Sequence, residues 1–361
     1  MSGPVDDARA ALDSFARVAP DAERGPMRLR AGLRVLRRTA TEVQVGTDPR
    51  WAVRLTDLTP ADADLLMSVD PRTDLTELVA RAVDVERARA LVAVLVDARL
   101  TDARPPAAVL RGPAAVDADV WSLLRPDGDG TRLVRARADR VVAVLGLGPT
   151  GLGIAVGLAA AGVGTLLLDD ERPVRSTDVG VCGYRWADAG SAREHVAARL
   201  LRDVAPHVST VSDRRPDVVV LVEYGVADPV RAPALVSGAT AHLGVVVREA
   251  DTVVGPLVVP GTGPCLRCLD LHRSDADDAW PTLAAQLRTG ATPSEPAVPA
   301  AVCAGIGAAA VLAHLDGLVG LGAGVTYEVS LPDAVPRRRT WAVHPECGCT
   351  ALPASLVGAQ G

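Results

Sequence analysis

Four of the six cysteines form two close pairs, and this pattern constrains the fold more than any other feature of the chain. Two residues separate Cys265 from Cys268, and one residue separates Cys347 from Cys349. Thiolates clustered in this way are typical of a structural Zn²⁺ site, in which four ligands surround the ion as a tetrahedron. We therefore predict that one zinc ion ties a mid-chain loop to a late segment. Two buried thiol pairs without metal are the alternative.

A glycine-rich turn lies upstream of the cysteines. Gly146, Gly148 and Gly151 follow the apolar run 141–145 and open an Ala- and Gly-rich segment over 151–162. A buried strand, a turn and a helix are the context that such a motif requires. Glycines there let backbone N–H groups approach a phosphate at the helix N-terminus, so the turn predicts a nucleotide site. A turn needed only for helix–sheet packing is the alternative.

Strand-like and helix-like segments alternate after the turn. Strands are expected over 165–168 and 218–222, with a helix over 191–204 between them. This alternation predicts an α/β fold with a doubly wound, mainly parallel, Rossmann-like sheet. Asp170, or its neighbour Asp169, follows the second strand, where a carboxylate can accept hydrogen bonds from ribose hydroxyls. The motif alone does not separate NAD, FAD and ATP.

The N-terminal part has a different pattern, over residues 26–103. Two strand-like runs, around Val35 and over 51–55, are split by a turn-forming segment and are interpreted as a hairpin. Three short helices are expected after them, opening near Pro60, Asp74 and Asp84. Two strands and three helices predict a winged-helix-like module. The predicted organisation is a tail (1–25), this module (26–103), a Pro- and Ala-rich linker (104–130) and an α/β domain (131–361).

Composition narrows the possible partners. The net charge is −6, and all 38 basic residues are Arg. The expected helices over 60–102 are rich in acids, whereas phosphate contact needs a basic stripe, so a DNA-binding regulator is disfavoured. No signal peptide and no membrane-spanning run of about 18 apolar residues is recognised, so a cytoplasmic protein is expected. Neither nucleic acid nor membrane is a predicted partner.

These motifs together resemble the ThiF/MoeB superfamily of ubiquitin-activating-like adenylyltransferases. The resemblance covers about residues 130–350 and includes the glycine turn, the segment GPLVVPGTGPCLRC and the late HPECGC. It implies a zinc-stabilised domain that binds ATP with Mg²⁺, adenylates the C-terminus of a small ubiquitin-like protein, and pairs as a homodimer. With the N-terminal module, the chain looks more like the ThiF-like partners of cyclodehydratases. In that group the module binds a precursor's leader peptide, the ThiF-like domain is mainly a scaffold, and a separate modifying enzyme is a possible partner.

The nucleotide-binding positions of the superfamily are largely matched. The resemblance assigns cofactor binding to five residues, namely Gly146, Gly148, Gly151, Asp170 and Arg193. Arg193 stands where the superfamily has a phosphate-binding Lys, and it is also a candidate catalytic residue.

The catalytic positions depart from the superfamily pattern. Asp178 stands in the slot of an Asn, Val181 in that of the catalytic Arg, and Tyr224 in that of the Mg²⁺-binding Asp. Arg185 and Glu223 lie close to the lost groups and are candidate replacements. Nucleotidyl transfer depends on cations that neutralise developing charge, so these losses predict a degenerate adenylation site.

Three functions therefore follow from the sequence. The first is a catalytically degenerate scaffold that binds a precursor or partner peptide during peptide maturation or modifier activation. The second is an active adenylyltransferase that uses Arg185 and Glu223. The third is an NAD-dependent oxidoreductase, which the glycine turn and Asp170 permit and the late cysteine pairs disfavour.

Overall fold

The computed structural model describes residues 26–70, 73–102, 110–125, 127–290 and 292–350. The chain divides into two compact units, 1–134 and 135–361. The predicted tail over 1–25 lies outside the described residues.

The first unit contains two small antiparallel sheets. Strands β1 (Arg28–Leu29) and β5 (Thr101–Asp102) pair with each other. The second sheet has the order β2 (Val35–Thr39), β3 (Glu42–Val45) and β4 (Val53–Leu55). The predicted hairpin is wrong in one respect, because both expected runs pair with β3 and not with each other. The short alternating segment of β3, which buries Val43 and Val45, was missed.

The three expected helices of this unit are confirmed. They are α1 (Pro60–Met67), α2 (Leu75–Ala80) and α3 (Val85–Asp97), each opened by a side chain that caps its N-terminus. Helix α4 (Pro113–Leu124) lies within the segment predicted to be a linker, and α5 (Gly130–Arg137) spans the boundary between the units. The winged-helix assignment stays a prediction.

The second unit is built on a seven-stranded sheet. Its strands are β6 (Val141–Leu145), β7 (Thr165–Asp169), β8 (Val218–Tyr224), β9 (Ala241–Val247), β10 (Asp251–Val258), β11 (Val325–Ser330) and β12 (Arg337–Thr340). The spatial order is β12-β11-β10-β9-β8-β6-β7. Strands β7, β6, β8 and β9 are parallel, and β10 to β12 extend the sheet in antiparallel pairing. The Rossmann-like α/β core is thus confirmed, and its antiparallel extension was not predicted.

Helices cover both faces of this sheet. They are α6 (Pro149–Ala160), α7 (Arg193–Val204), α8 (Arg231–Ser237), α9 (Leu266–Ala276), α10 (Trp280–Thr289) and α11 (Ala297–Leu315). Val142 and Val144 of β6 share a core with α6, α7 and α11, whereas Ala143 faces the other way and packs with α8 and α9. This alternation is what a buried central strand requires.

Helix α11 is long and apolar enough to cross a membrane by length and composition, and half of it is buried inside the protein. It packs against α6, and a Cβ built on Gly153 would lie 2.7 Å from the Ala304 side chain. Such close approach identifies α11 as a core helix. The expectation that the chain has no membrane-spanning run of about 18 apolar residues is wrong by length and composition, because α11 is such a run.

Candidate functional site

A cavity opens where three parallel strands end together. Leu145 of β6 lies opposite Asp169 of β7 and Leu221 of β8. Successive strands lie on opposite sides of β6, so this edge is a topological switch point, where doubly wound sheets bind ligands. The cavity measures about 510 Å³. Its acidic lining residues are Asp169, Asp170, Glu171, Glu223 and Asp228, and its basic ones are Arg172, Arg231 and Arg288.

The glycine turn borders the cavity through Gly146, which is one of the lining residues. Gly146 has a φ of +92°, and a Cβ there would lie 2.4 Å from the carbonyl oxygen of Val222. A Cβ on Gly151 would lie 1.9 Å from the carbonyl oxygen of Gly146. The hydroxyl of Tyr184 donates a hydrogen bond of 2.6 Å to the carbonyl of Leu147. The first and third glycines are thus needed for backbone packing, as the tight turn predicts.

A carboxylate of the chain itself covers the N-terminus of α6. The backbone N–H of Thr150 donates to Oε2 of Glu295 at 2.8 Å, and the hydroxyl of Tyr224 donates to Oε1 at 2.7 Å. A Cβ on Gly148 would lie 2.1 Å from that Oε1, so the middle glycine makes room for the carboxylate. Glu295 was missed because it lies far from the motif in the chain and matches no pattern.

Asp170 lies at the same edge, but its carboxylate already has donors. It accepts hydrogen bonds from the N–H of Leu147 at 2.8 Å, from Arg193 at 2.9 Å and from Arg172. Burial raises the pKa of Asp170, but these hydrogen bonds outweigh it and lower the pKa to about 2. Asp169 and Glu171 flank Asp170, and both are exposed towards the cavity. The predicted ribose contact of Asp170 stays a prediction.

Arg193 lies between two buried carboxylates. It donates to Asp170 at 2.9 Å and to Asp178 at 2.6 Å, and all three side chains are at most 2% exposed. Arg172 and Arg175 close the cluster from the half-exposed side, on Asp170 and Asp178 respectively. In this structure Arg193 therefore binds internal carboxylates, and it is not among the residues that line the cavity.

The remaining catalytic candidates do not all lie at the cavity. Arg185 and Val181 are exposed and lie outside the cavity lining, whereas Glu223 and Tyr224 belong to it. Oε2 of Glu223 accepts a hydrogen bond of 2.9 Å from the N–H of Asp228. Its Oε1 is buried and has no hydrogen-bond partner among the described residues. Burial raises the pKa of this carboxyl. The cavity thus has one buried acid with a spare oxygen.

The four paired cysteines come together as predicted. The sulfur of Cys265 lies 4.0 Å from that of Cys268 and 3.7 Å from that of Cys347, and Cys268 lies 3.5 Å from Cys349. Four thiolates around one Zn²⁺ at about 2.3 Å would be about 3.8 Å apart, so the arrangement fits a tetrahedral ion. All four are buried, and the cluster could hold a metal ion.

A hydrogen-bonded histidine lies beside this cluster. Nε2 of His344 is 2.9 Å from a carboxylate oxygen of Asp275, and Nδ1 accepts from the N–H of Glu346. Both ring nitrogens are therefore engaged, which is consistent with a supporting role next to the sulfurs.

The structure is thus a Rossmann-like α/β protein with a cluster of four buried cysteines, and several solved structures share its fold. Similar solved structures include E. coli MccB with MccA-N7isoASN, at a TM-score of 0.64 and 16% identity, covering 90% of this chain and 99% of that chain. E. coli MccB with ATP has a TM-score of 0.62 at the same identity and coverage. PaaA, as its selenomethionine derivative, has a TM-score of 0.62 at 19% identity over 86% of this chain and 99% of its own. No protein-family model and no curated protein matches the sequence.

Proposed function

We propose that the protein is a zinc-stabilised, ThiF-like scaffold that binds a precursor peptide in a peptide-maturation pathway and has a degenerate adenylation site. The observation that carries this proposal is the internal pairing of the nucleotide-site residues. Arg193, in the phosphate-binding slot, is held at 2.9 Å and 2.6 Å by Asp170 and Asp178. A cation committed to two buried carboxylates is not free to neutralise charge on a transferred phosphoryl group.

The similar structures support peptide binding as the shared theme. The Microcin C7 biosynthetic enzyme MccB has been solved in complex with N-formylated MccA. In the present protein we assign peptide recognition to the first unit, whose sheets leave β2 and β4 as edge strands within the described sheet. An extended peptide can pair with such an edge through backbone hydrogen bonds. A homodimer, a cytoplasmic location and a separate modifying enzyme belong to the same proposal.

An ATP–pyrophosphate exchange assay, run with a candidate precursor peptide, tests the degenerate site. We expect no pyrophosphate exchange above background. Calorimetric titration of the same peptide is expected to show binding. E. coli MccB, which has been solved with ATP and with MccA, is assayed with MccA as the reference protein. Exchange at a rate comparable to that of the reference protein would reject the scaffold function.

A second candidate is an active adenylyltransferase in which Glu223 replaces the lost Mg²⁺ ligand. The spare buried oxygen of Glu223 on the cavity wall favours it, because hard cations take carboxylate oxygens. This function requires that Glu223→Ala abolishes Mg²⁺-dependent ATP binding, while Glu249→Ala, an exposed residue outside the cavity lining, leaves it unchanged. Unaltered ATP binding by Glu223→Ala would rule it out.

A further inference from the structure

The helix N-terminus that would receive a nucleotide phosphate already carries an anion. Backbone N–H groups at the start of a helix, together with the helix dipole, favour negative charge. Here Oε2 of Glu295 accepts the N–H of Thr150 at 2.8 Å. Glu295 is 8% exposed, so its carboxylate is held inside the protein and not merely near it.

Three neighbours fix this carboxylate in place. Tyr224 donates its hydroxyl proton to Oε1 at 2.7 Å, and burial together with Glu295 raises the pKa of that hydroxyl, so Tyr224 remains a donor. Gly148 allows the approach, since a Cβ there would lie 2.1 Å from Oε1. Pro296 follows Glu295 and restricts the backbone of Glu295 to extended conformations.

The residues that line the cavity carry a net negative charge, because five acids outnumber the three arginines Arg172, Arg231 and Arg288. Asp169 and Glu171 are exposed towards the cavity, and Glu223 and Asp228 line it, whereas Arg172 is paired with Asp170. A triphosphate entering this space would meet acids at the strand ends and a carboxylate on the helix N-terminus. A ligand without phosphate would meet the same acids as hydrogen-bond acceptors.

We propose that Glu295 is a built-in occupant of the phosphate position, so that the cavity selects ligands that lack a phosphate at the glycine turn. The proposal rests on the proposed function, because a degenerate site has no need to hold a triphosphate. Glu295 and a nucleotide phosphate compete for the N–H of Thr150. Removal of the carboxylate therefore opens the phosphate position.

Calorimetric titration of the full-length protein with adenosine and with MgATP tests this competition. The wild-type protein is expected to bind ATP no more tightly than adenosine. Glu295→Ala is expected to bind ATP about tenfold to 100-fold more tightly than the wild type, the range of a charge-assisted hydrogen bond, with adenosine affinity unchanged. Glu249→Gln, which removes one exposed charge outside the cavity lining, is the matched control and should behave as the wild type.

Tyr224→Phe provides a second variant if Glu295→Ala does not fold. It removes one hydrogen bond to the carboxylate and should strengthen ATP binding by a smaller factor, about threefold to tenfold. A wild type that already prefers ATP over adenosine by tenfold overturns the proposal. So do variants that bind neither ligand, or that gain affinity for both equally. The pyrophosphate-exchange assay with peptide reports separately on the scaffold function, so the two failures can be told apart.

Discussion

Arg193 and Asp178 form an ion pair of 2.6 Å in which each side chain is 1% exposed. Asp170 completes the cluster on the other side of the guanidinium at 2.9 Å. Two carboxylates and one cation removed from water are stable only while every partner is present. The cluster links the start of α7 to the loop after β7, and it thereby fixes the cavity edge.

The substitution Arg193→Met is expected to lower the free energy of unfolding by about 3 kcal/mol, because Asp170 and Asp178 lose their shared buried cation and keep only the half-exposed Arg172 and Arg175. Arg199→Met is the matched control. Arg199 lies on the same helix as Arg193 and pairs with Asp188 at 2.6 Å. The side chain of Arg199 is 44% exposed, so the expected loss of stability is below about 1 kcal/mol. Urea unfolding of both variants measures the difference, and equal losses would contradict the importance of the buried cluster.

Acid should weaken the same cluster. The pKa of Asp170 is lowered from 3.8 to about 2 in the folded protein, so its contribution is present above about pH 4. As the pH falls from about 4 to about 2 this contribution is lost, at a cost of about 2 kcal/mol. Thermal unfolding as a function of pH is the measurement. Asp170→Asn should flatten the profile in that window, and an unchanged slope would show that other carboxylates dominate.

Metal removal should destabilise the second unit. Cys268→Ser is expected to bind no Zn²⁺ and to melt at a lower temperature, because an ion held by the four sulfurs would join the N-terminus of α9 to the segment around Cys347 and Cys349. Elemental analysis of the purified protein and a melting curve with and without chelator test this. Cys182→Ser, a cysteine outside the cluster, should keep one metal ion per chain. A wild-type protein that contains no metal and melts identically with chelator would refute the prediction.

Two glycine substitutions should separate steric from conformational effects. Gly148→Ala places a Cβ 2.1 Å from Glu295 and 2.2 Å from the Tyr224 hydroxyl, so a loss of about 1–3 kcal/mol is expected from overpacking. Gly305→Ala in α11 meets no atom of the described residues within 4 Å and should be neutral or stabilising by about 0.5–1 kcal/mol.

Chemical denaturation compares the two glycine variants. In a background of Glu295→Ala and Tyr224→Phe, the cost of Gly148→Ala should fall, since both obstructing atoms are gone. A cost that persists unchanged would mean that the contact with the carboxylate is not its source.

Local patterns were sufficient for much of the second unit. The apolar run 141–145, the glycine turn and the strand before Asp169 each carry their own signal, because burial and tight turns restrict residue type within a few positions. The cysteine cluster could also be predicted from the sequence, because a four-thiolate site requires two close cysteine pairs and does not depend on the residues between the pairs. In the first unit the strand Glu42–Val45 was missed, although its four residues alternate between partly and fully buried positions.

The sequence by itself therefore determined that this chain has a glycine turn on a parallel sheet and a four-cysteine cluster. Both features depend on short segments with a distinctive composition. The tertiary structure alone decided what occupies the turn. Glu295 reaches Thr150 from the loop before α11, and Arg193 turns inward to Asp170 and Asp178 instead of towards the cavity. Such contacts depend on how distant elements pack, and a single carboxylate in a loop has no local pattern that could reveal its partner.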